Sequence, residues 1–269
     1  MHNTGTKENI VVSKPYLTIR SENGSANCIV NALNSNDHVF DVQQNYVNIS
    51  GFTVENATGN QEAGIYLNST QHCNISSNDV TNNDDGIYLH SSSNNTLTNN
   101  PANSNNNFGI YLHSSSNNTL TENTASNNYY GIYLYHSSNN LLYHNSLINN
   151  TNNAHDTGTN QWNTSIVGNY YSDYTGSDND SDGIGDTSYQ IPGGSNIDYF
   201  PLMHPWGKPP LKCDLGGDSQ ITSTDAAIAL QIAVGSRQFD DAVDVSGDGK
   251  VTSLDALMIM QAVAEGTEL

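Results

Sequence analysis

Acidic side chains alternate with other residues in several short segments of the 269-residue chain, a spacing that suits oxygen coordination of a metal ion. The clearest segment begins at Asp244 and ends at Asp255. In such a loop alternate side chains converge on one ion, a glycine permits the sharp turn, and the twelfth residue arrives from the first turn of a helix. We therefore predict a calcium site formed by Asp244, Ser246, Asp248, the Lys250 carbonyl and Asp255.

An earlier segment repeats this loop less completely, and each loop is followed by an amphipathic helical pattern. Gly216 stands where the third ligand belongs, so water must fill that place and the site should be weaker. The predicted ligands of this first loop are Asp214, Asp218, the Gln220 carbonyl and Asp225.

A third acidic segment has the first half of a calcium loop. Asp178, Asp180 and Asp182 alternate and are followed by a glycine and Asp186, but Tyr189 occupies the twelfth place. We expect these four carboxylates to bind calcium, and the alternative is a solvated acidic loop.

An internal repeat predicts the fold of most of the chain. The word Gly-Ile-Tyr-Leu begins at Gly64, Gly86, Gly109 and Gly131. A regular period of about 22 residues indicates stacked units. Leucine-rich repeats share this period, but the return segments here are rich in Asn and poor in helix formers, which favours short strands joined by Asn and Ser turns. We predict a right-handed parallel β-helix over residues 1–205 with the acidic loop in a C-terminal cap, a Pro-rich linker over 206–212, and a small all-α module over 213–269.

The strand pattern sorts the side chains of each coil. Alternation places the Ile and Leu of the repeated word inside and the Tyr outside. Two more inward rows follow, and an Asn fourteen residues after each Gly is placed to bond amide to amide along the stack. The inward rows are Ile65, Leu67, Ile87, Leu89, Ile110, Leu112, Ile132 and Leu134; Ile75, Leu97, Leu120 and Leu142; and Val80, Ala102, Ala125 and Leu147. The Asn row is Asn78, Asn100, Asn123 and Asn145, and the outward row is Tyr66, Tyr88, Tyr111 and Tyr133.

The charge of the chain excludes several functions. The formal net charge is −20, and no Lys or Arg lies between Arg20 and Lys208. Nucleic acids and anionic membrane surfaces require cations, so neither is an expected partner. No apolar run is long enough to span a bilayer, and the opening MHNTGTKENIVV has no hydrophobic signal region, so we expect a fragment of a longer reading frame.

Catalysis has few candidates in the coils. A uronate lyase needs basic residues that the coils lack, and a hydrolase needs two carboxylates across a sugar bond. The hydrolase candidates are Asp79, Asp84, Asp85 and Glu122, which we interpret as solvated turn acids. The outward tyrosines could bind a sugar or a partner, or could stack on one another and shield the sheet. His90 and His113 occupy equivalent outward positions and are interpreted as exposed turn residues, with a metal site as the alternative.

Two family resemblances complete the sequence reading. The coils, with the flanking KPYLTIRSENGSANCIVNALNSNDHVF and GNYYSDYTGSDNDSDGIGDTSYQIPGG, resemble the NosD-like β-helices of periplasmic copper-binding and carbohydrate-binding proteins, which also occur on surface proteins of methanogenic archaea. The two loop–helix segments resemble a type I dockerin, which implies calcium and a cohesin partner read by Ser223, Thr224, Ser253 and Leu254. Together these resemblances imply a non-catalytic extracellular or cell-surface scaffold that binds a partner or carbohydrate. A cohesin-borne polysaccharide hydrolase is the alternative.

Overall fold

The computed structural model describes residues 6–180, 182–207, 213, 221–237 and 243–265. The chain divides into two compact units, residues 1–202 and 203–269. The first is a parallel β-helix of three long sheets, and the second contains two helices. This confirms the predicted mainly β solenoid followed by a small helical module. None of the helices in the described part of the chain is long and apolar enough to cross a membrane.

Interior coils contribute one strand to each of three parallel sheets, here called sheets 1, 2 and 3, which have seven, six and eight strands. Sheet 1 consists of β2 (Ile10–Val12), β5 (Phe40–Val42), β8 (Ala63–Asn68), β11 (Asp85–His90), β14 (Phe108–His113), β17 (Tyr130–Tyr135) and β20 (Asn152–Asp156). Sheet 2 consists of β3 (Thr18–Arg20), β6 (Asn48–Ser50), β9 (Asn74–Ser76), β12 (Thr96–Thr98), β15 (Thr119–Thr121) and β18 (Leu141–Tyr143). Sheet 3 consists of β1 (Thr6–Lys7), β4 (Ile29–Asn31), β7 (Thr53–Glu55), β10 (Asp79–Thr81), β13 (Pro101–Asn103), β16 (Thr124–Ser126), β19 (Ser146–Ile148) and β21 (Tyr170–Tyr171).

The register of the strands aligns equivalent residues of successive coils. Ile87 pairs with Ile65 on one side and Ile110 on the other, and Leu97 likewise pairs with Ile75 and Leu120. Every inward residue predicted from the repeat is buried in one continuous core. The predicted assignment of the two faces is therefore confirmed.

The glycine that opens each repeated word has a steric reason. A Cβ atom added at Gly109 would lie 2.7 Å from the carbonyl oxygen of Gly131 and 2.8 Å from the side-chain amide of Asn128. Both distances are far shorter than an ordinary contact, so the backbones of successive coils approach too closely here for any side chain. The repeat keeps its glycine because the stacking distance requires it.

Buried polar columns close the corners between the sheets. The predicted Asn column is confirmed, since the Asn100 amide donates to Asn123 Oδ1 at 3.0 Å and the Asn123 amide donates to Asn145 Oδ1 at 3.0 Å. Three further columns repeat the device, and sequence reasoning missed them. They contain Asn83, Asn105, Asn128 and Asn150; Asn95, Asn118, Asn140 and Asn160; and Ser92, Ser115 and Ser137.

Corner residues adopt the left-handed conformation that the turn chemistry predicts. Asn82, Asn99 and Ser104 have φ between 54° and 56°. Asn tolerates this region better than most residues, and the buried amides satisfy the backbone groups that the bends leave without sheet partners. The Asn and Ser content of the repeat thus builds the corners rather than the core.

The last coil is covered by a cap. Trp162 is fully buried and donates its indole N–H to Asp156 Oδ2 at 2.8 Å. Tyr171 stacks on Tyr189, with 3.8 Å between ring centroids, beside a short antiparallel pair formed by β22 (Tyr189–Gln190) and β23 (Ile197–Asp198). The cap therefore closes the open end of the core with aromatic rings.

The second unit contains α1 (Ser223–Ala233) and α2 (Ser253–Glu265). The helices pack through small and large side chains at matching positions of the two copies, including Ala229 with its equivalent Ile259. Their patterns of burial agree residue for residue from Ile221 to Leu230 and from Val251 to Met260. The duplication seen in the sequence is therefore also a duplication of structure. The proposed linker stays a prediction, because 208–212 lie outside the described residues.

Candidate functional site

The second acidic loop is folded around the carboxylate of Asp244. The amides of Gly247 and Asp248 donate to Asp244 Oδ1 at 2.7 and 3.1 Å, and the amide of Gly249 donates to Oδ2 at 2.7 Å. Gly247 and Gly249 have φ of 73° and 78°, which lets the loop turn sharply. Desolvation opposes ionisation, but these hydrogen bonds outweigh it and lower the pKa of Asp244.

Asp255 joins this loop to α2. Its Oδ1 accepts the amide of Ser246 at 3.0 Å, and its Oδ2 accepts the amide and hydroxyl of Thr252 at 2.8 and 3.0 Å. Desolvation again opposes ionisation, and the hydrogen bonds from Ser246 and Thr252 outweigh it, lowering the pKa of Asp255 to about 2. A buried, ionised carboxylate is thus fixed at the place where the loop meets the helix.

Asp225 repeats this arrangement at the start of α1. Thr222 donates its amide and its hydroxyl to Asp225 Oδ2 at 2.7 and 2.9 Å and accepts the amide of Thr224, which completes a capping box. Sequence reasoning gave Asp225 and Asp255 a role as ligands and missed this second role as capping residues. The signal was present as Thr-x-x-Asp at both helix starts.

The donor set of the second loop fits a calcium ion. Asp244, Ser246, Asp248 and Asp255 supply carboxylate and hydroxyl oxygens, which hard divalent cations prefer. Ser246 Oγ lies 3.2 Å from Asp244 Oδ1, but the carboxylates of Asp244, Asp248 and Asp255 are not all within 4.8 Å of one another, so calcium binding at this loop stays a prediction. In the first loop, the predicted ligands Asp214, Asp218 and Gln220 lie outside the described residues, and the weaker site there stays a prediction.

The four residues predicted to contact a partner are all exposed. Ser223 and Thr224 begin α1, and Ser253 and Leu254 begin α2. These residues begin an exposed row of side chains on each helix. Because residues three or four apart lie on the same side of a helix, the row continues through Leu230 on α1 and through Leu257 and Met260 on α2. Leu254 is 52% exposed, Leu257 63% and Met260 44%, so α2 presents the more apolar row.

The cap loop brings three of its four predicted ligands together. Asp178, Asp180 and Asp182 have carboxylate oxygens that all lie within 4.8 Å of one another. The charge of Asp182 is the largest cause of a raised pKa at Asp180. Asp186 instead accepts the amide of Asn179 at 2.9 Å. This geometry fits the predicted calcium loop, and calcium binding there stays a prediction.

The outward tyrosines form a continuous column of contacting rings on sheet 1. Ring centroids are 5.1 Å apart between Tyr66 and Tyr88, 4.7 Å between Tyr88 and Tyr111, and 5.5 Å between Tyr111 and Tyr133. Phe108 stacks against Tyr111 at 4.4 Å and widens the column. The rings of Tyr88 and Tyr111 are stacked at 18°, whereas the other two pairs are tilted by 46° and 33°, so the column offers ring edges, hydroxyl groups and parts of ring faces to a ligand.

Asp85 departs from the interpretation of the coil carboxylates as solvated turn acids. It begins β11, is 1% exposed, and its Oδ1 has no hydrogen-bond partner among the described residues. Burial, reinforced by the charges of Asp84 and Glu62, raises the pKa of Asp85 to about 7. The interpretation was wrong for Asp85 because its neighbours in sheet 1 cover the position. Asp84 is half-buried and accepts the amide of Gln61 at 2.7 Å.

The histidine pair also differs from expectation. His90 and His113 are register partners as predicted, with ring centroids 5.2 Å apart, but they end strands β11 and β14 and are half-buried. The interpretation as exposed turn residues was therefore wrong. Tyr88 Oη lies 3.4 Å from His113 Nδ1. In the described residues, this pair has no third metal-binding group close enough to complete a compact site.

The coils, the capped end and the two equivalent helices define a class: a parallel β-helix repeat protein with a small duplicated helical module. The chain belongs to the NosD family, since residues 1–176 match the family described as periplasmic copper-binding protein (NosD). Residues 212–264 match the dockerin type I domain. Both resemblances drawn from the sequence are thereby confirmed. No curated protein matches the chain.

Proposed function

We propose that this chain is a non-catalytic extracellular β-helix protein that attaches to a cohesin domain through a calcium-dependent dockerin module. The observation that carries the proposal is the duplicated loop–helix, in which Asp225 and Asp255 occupy equivalent buried positions below exposed helix rows. Dockerin type I domains generally bind calcium and cohesins, and the match covers both copies. The family description and the dockerin match both favour a location outside the cytoplasm.

Calcium would act here as a structural ion. Asp244, Ser246, Asp248, the Lys250 carbonyl and Asp255 would hold it, and its charge would offset carboxylates that otherwise repel one another. The module has a small core, so ion binding and folding should be coupled. The loop tied to α2 by Asp255 would then position the exposed row for a partner.

The two copies differ in the surface that they offer to a cohesin. Thr224 and Ala227 on α1 correspond to Leu254 and Leu257 on α2. Exposed leucines that bury on binding contribute more than Thr and Ala, because apolar area removed from water drives association. We propose that the cohesin docks mainly on α2.

The β-helix would serve as a rigid binding surface rather than an enzyme. The coils offer no Lys or Arg between Arg20 and Lys208 to hold an acidic substrate. Of the two adjacent acids considered for hydrolysis, Asp85 is covered by its neighbours and Asp84 is engaged by a backbone amide. These observations favour carbohydrate or partner binding over polysaccharide hydrolysis.

The test is a cohesin pull-down with the whole chain in calcium and in excess chelator. We expect binding only in calcium, and loss of binding when Leu254 and Leu257 are both replaced by Ser. The matched control replaces Thr224 and Ala227 by Ser and should retain binding. Capture that persists in excess chelator would refute the dockerin proposal, and equal loss in both variants would refute docking on α2.

A further inference from the structure

A polar cleft lies on the outside of the cap, at the last coil of the β-helix. Its volume is about 510 Å³, and it is bounded by residues 159–165 on one side and by residues 195–199, which contain β23, on the other. This volume is within the range of small-molecule binding sites. The cap therefore closes the core on its inner side and forms a concave surface on its outer side.

Three asparagines hold the two walls of the cleft together. The backbone amide of Asn160 donates to Asn196 Oδ1 at 3.1 Å, and the side-chain amide of Asn196 donates to the Gly158 carbonyl at 2.9 Å. The backbone amide of Tyr199 donates to Asn163 Oδ1 at 3.1 Å. Asn160 is also the last member of a buried Asn column. The walls are therefore fixed in place by the protein itself, which lowers the entropy cost of binding a ligand.

The lining of the cleft is uncharged. None of the described residues that line it is acidic or basic. Asp156 and Asp198 lie close in sequence, but both are fully buried. Asp156 Oδ2 accepts the indole N–H of Trp162 at 2.8 Å, and Asp198 Oδ2 accepts the backbone amide of Asn169 at 2.8 Å. An uncharged lining in a chain with a net charge of −20 favours a neutral ligand over a metal ion or an ionic ligand.

The rim of the cleft carries polar groups that the protein does not use for its own structure. Five lining residues are exposed, and their side chains form no hydrogen bond to another described residue: Thr159, Gln161, Ser165, Ser195 and Tyr199. Hydroxyl and carboxamide groups can each donate and accept hydrogen bonds. Tyr199 is 59% exposed, whereas Trp162 and Tyr171 of the same cap are buried. The rim thus offers one aromatic ring beside several unused donors and acceptors.

These features together match the chemistry of a neutral sugar. An aromatic ring packs against the apolar face of a sugar ring, and hydroxyl and carboxamide side chains pair with sugar hydroxyl groups, which also both donate and accept. We infer that the cap cleft binds a neutral oligosaccharide, with one sugar ring on Tyr199 and its hydroxyl groups bonded to Gln161 and Ser165. This site deepens the carbohydrate-binding role in the proposed function, on which it rests. It is separate from the tyrosine column of sheet 1 and does not depend on the cohesin.

The test is a nitrogen–proton correlation NMR titration of the full chain in calcium with cellotriose, maltotriose and mannotriose, and with trigalacturonate as the acidic counterpart. We expect at least one neutral trisaccharide to cause saturable shift changes at the amides of Gln161, Ser165 and Tyr199. Its affinity should change less than about twofold as salt is raised to about 0.3 M, because the ligand is uncharged. Trigalacturonate should not bind, since the lining offers no cation. The absence of saturable changes with all three neutral sugars, or changes confined to sheet 1, would overturn the inference.

Variants of the rim separate binding from folding, because these side chains are exposed. Tyr199→Ala should weaken binding about tenfold or more at an unchanged urea midpoint, and Gln161→Ala about two- to tenfold. Tyr129→Ala is the matched control, since Tyr129 is 50% exposed at a corner between sheets 3 and 1, and it should bind like the parent. Parent-like affinity in Tyr199→Ala, or an equal loss in Tyr129→Ala, would overturn the inference.

Two further arms separate this site from other sites and ligands. Loss of binding in Tyr111→Ser with parent-like binding by Tyr199→Ala would place the sugar on the tyrosine column, which overturns the inference and leaves the proposed function standing. A neutral peptide of Gly and Ser that binds as tightly as the trisaccharides would overturn the assignment to a sugar. A cohesin pull-down on the same samples reports the proposed attachment separately.

Discussion

Asp85 provides a sharp test of the outer face of sheet 1, because its carboxyl group is buried while its register partner in the preceding coil, Ala63, has none. Burial is the largest cause of its raised pKa, followed by the charge of Asp84. A hydrogen bond from the Phe108 amide opposes both, and the charge of Glu62 raises the pKa further, to about 7. Asp85→Ala should therefore be tolerated sterically and should remove a group that resists ionisation.

The sign of the effect follows from the two states of the carboxyl group. In the unfolded chain Asp85 loses its proton near pH 3.8, whereas in the folded chain it keeps the proton until about pH 7. The β-helix therefore loses stability as pH rises through this window, and the loss is complete above it. The difference between these two pKa values corresponds to about 4 kcal/mol in the free energy of unfolding, at about 1.4 kcal/mol for each pKa unit. This is an upper figure, because nearby acids titrate together with Asp85.

The assay is urea unfolding of parent and Asp85→Ala at several pH values, followed by circular dichroism. The free energy of unfolding of the parent should fall relative to that of the variant between about pH 4 and pH 7 and run parallel to it above about pH 8. Loss of the hydrogen bond from the Phe108 amide should change the free energy of unfolding by about 1 kcal/mol at every pH. The pH dependence therefore tests the prediction, whereas a constant difference between the two proteins does not. Glu122→Ala is the control for an exposed acid. Parallel curves for parent and Asp85→Ala across the whole range would refute the reasoning.

Three further predictions concern the core and the helical module. Leu120→Asp should destabilise the β-helix by about 4 kcal/mol or more, because it buries an unpaired charge. Tyr111→Ser on the outer face should destabilise it much less. Equal urea midpoints for the two variants would contradict the assignment of faces. Excess chelator should remove the helical circular dichroism signal of residues 213–266 and leave the β signal unchanged; a helical signal that persists would exclude coupled folding. Asp255→Ala should weaken calcium binding more than Asp225→Ala, since the first loop already lacks its third ligand; isothermal titration with calcium measures the order, and the reverse order would count against it.

The inward face of the coils was predictable because it depends on periodicity alone. Leu120 and its register partners recur at a fixed spacing, and alternation in a strand decides which side they occupy. The corner column through Asn100 could be found by the same count. The columns through Asn83 and Ser92 were missed because residues at the corners do not follow the two-residue alternation of a strand. The direction of their side chains depends on the left-handed conformation of the bends.

The environment of Asp85 could not be predicted from its own sequence neighbourhood. Adjacency to Asp84 suggested a solvated turn, but the environment of Asp85 is decided by neighbouring coils, including the backbone amide of Phe108 in the next strand of sheet 1, which donates to its carboxyl group. The same holds for His38 and Glu62, which meet across a coil boundary. Periodicity predicts which side of a strand a residue occupies, whereas the packing of unlike side chains on the outer face depends on which residues the register brings together.

The Asn columns have a consequence for how such proteins lengthen. Each buried Asn, such as Asn100, accepts a hydrogen bond from the preceding coil and donates one to the following coil, so every interior coil presents the same interface above and below. A gene duplication that copies one whole coil therefore inserts a unit that fits both neighbours without new contacts. The near-identical words at Gly86 and Gly109 are the pattern that such copying leaves. Each added coil extends the solenoid by about 4.8 Å, so evolution can adjust the reach of this protein in uniform steps while its two ends stay unchanged.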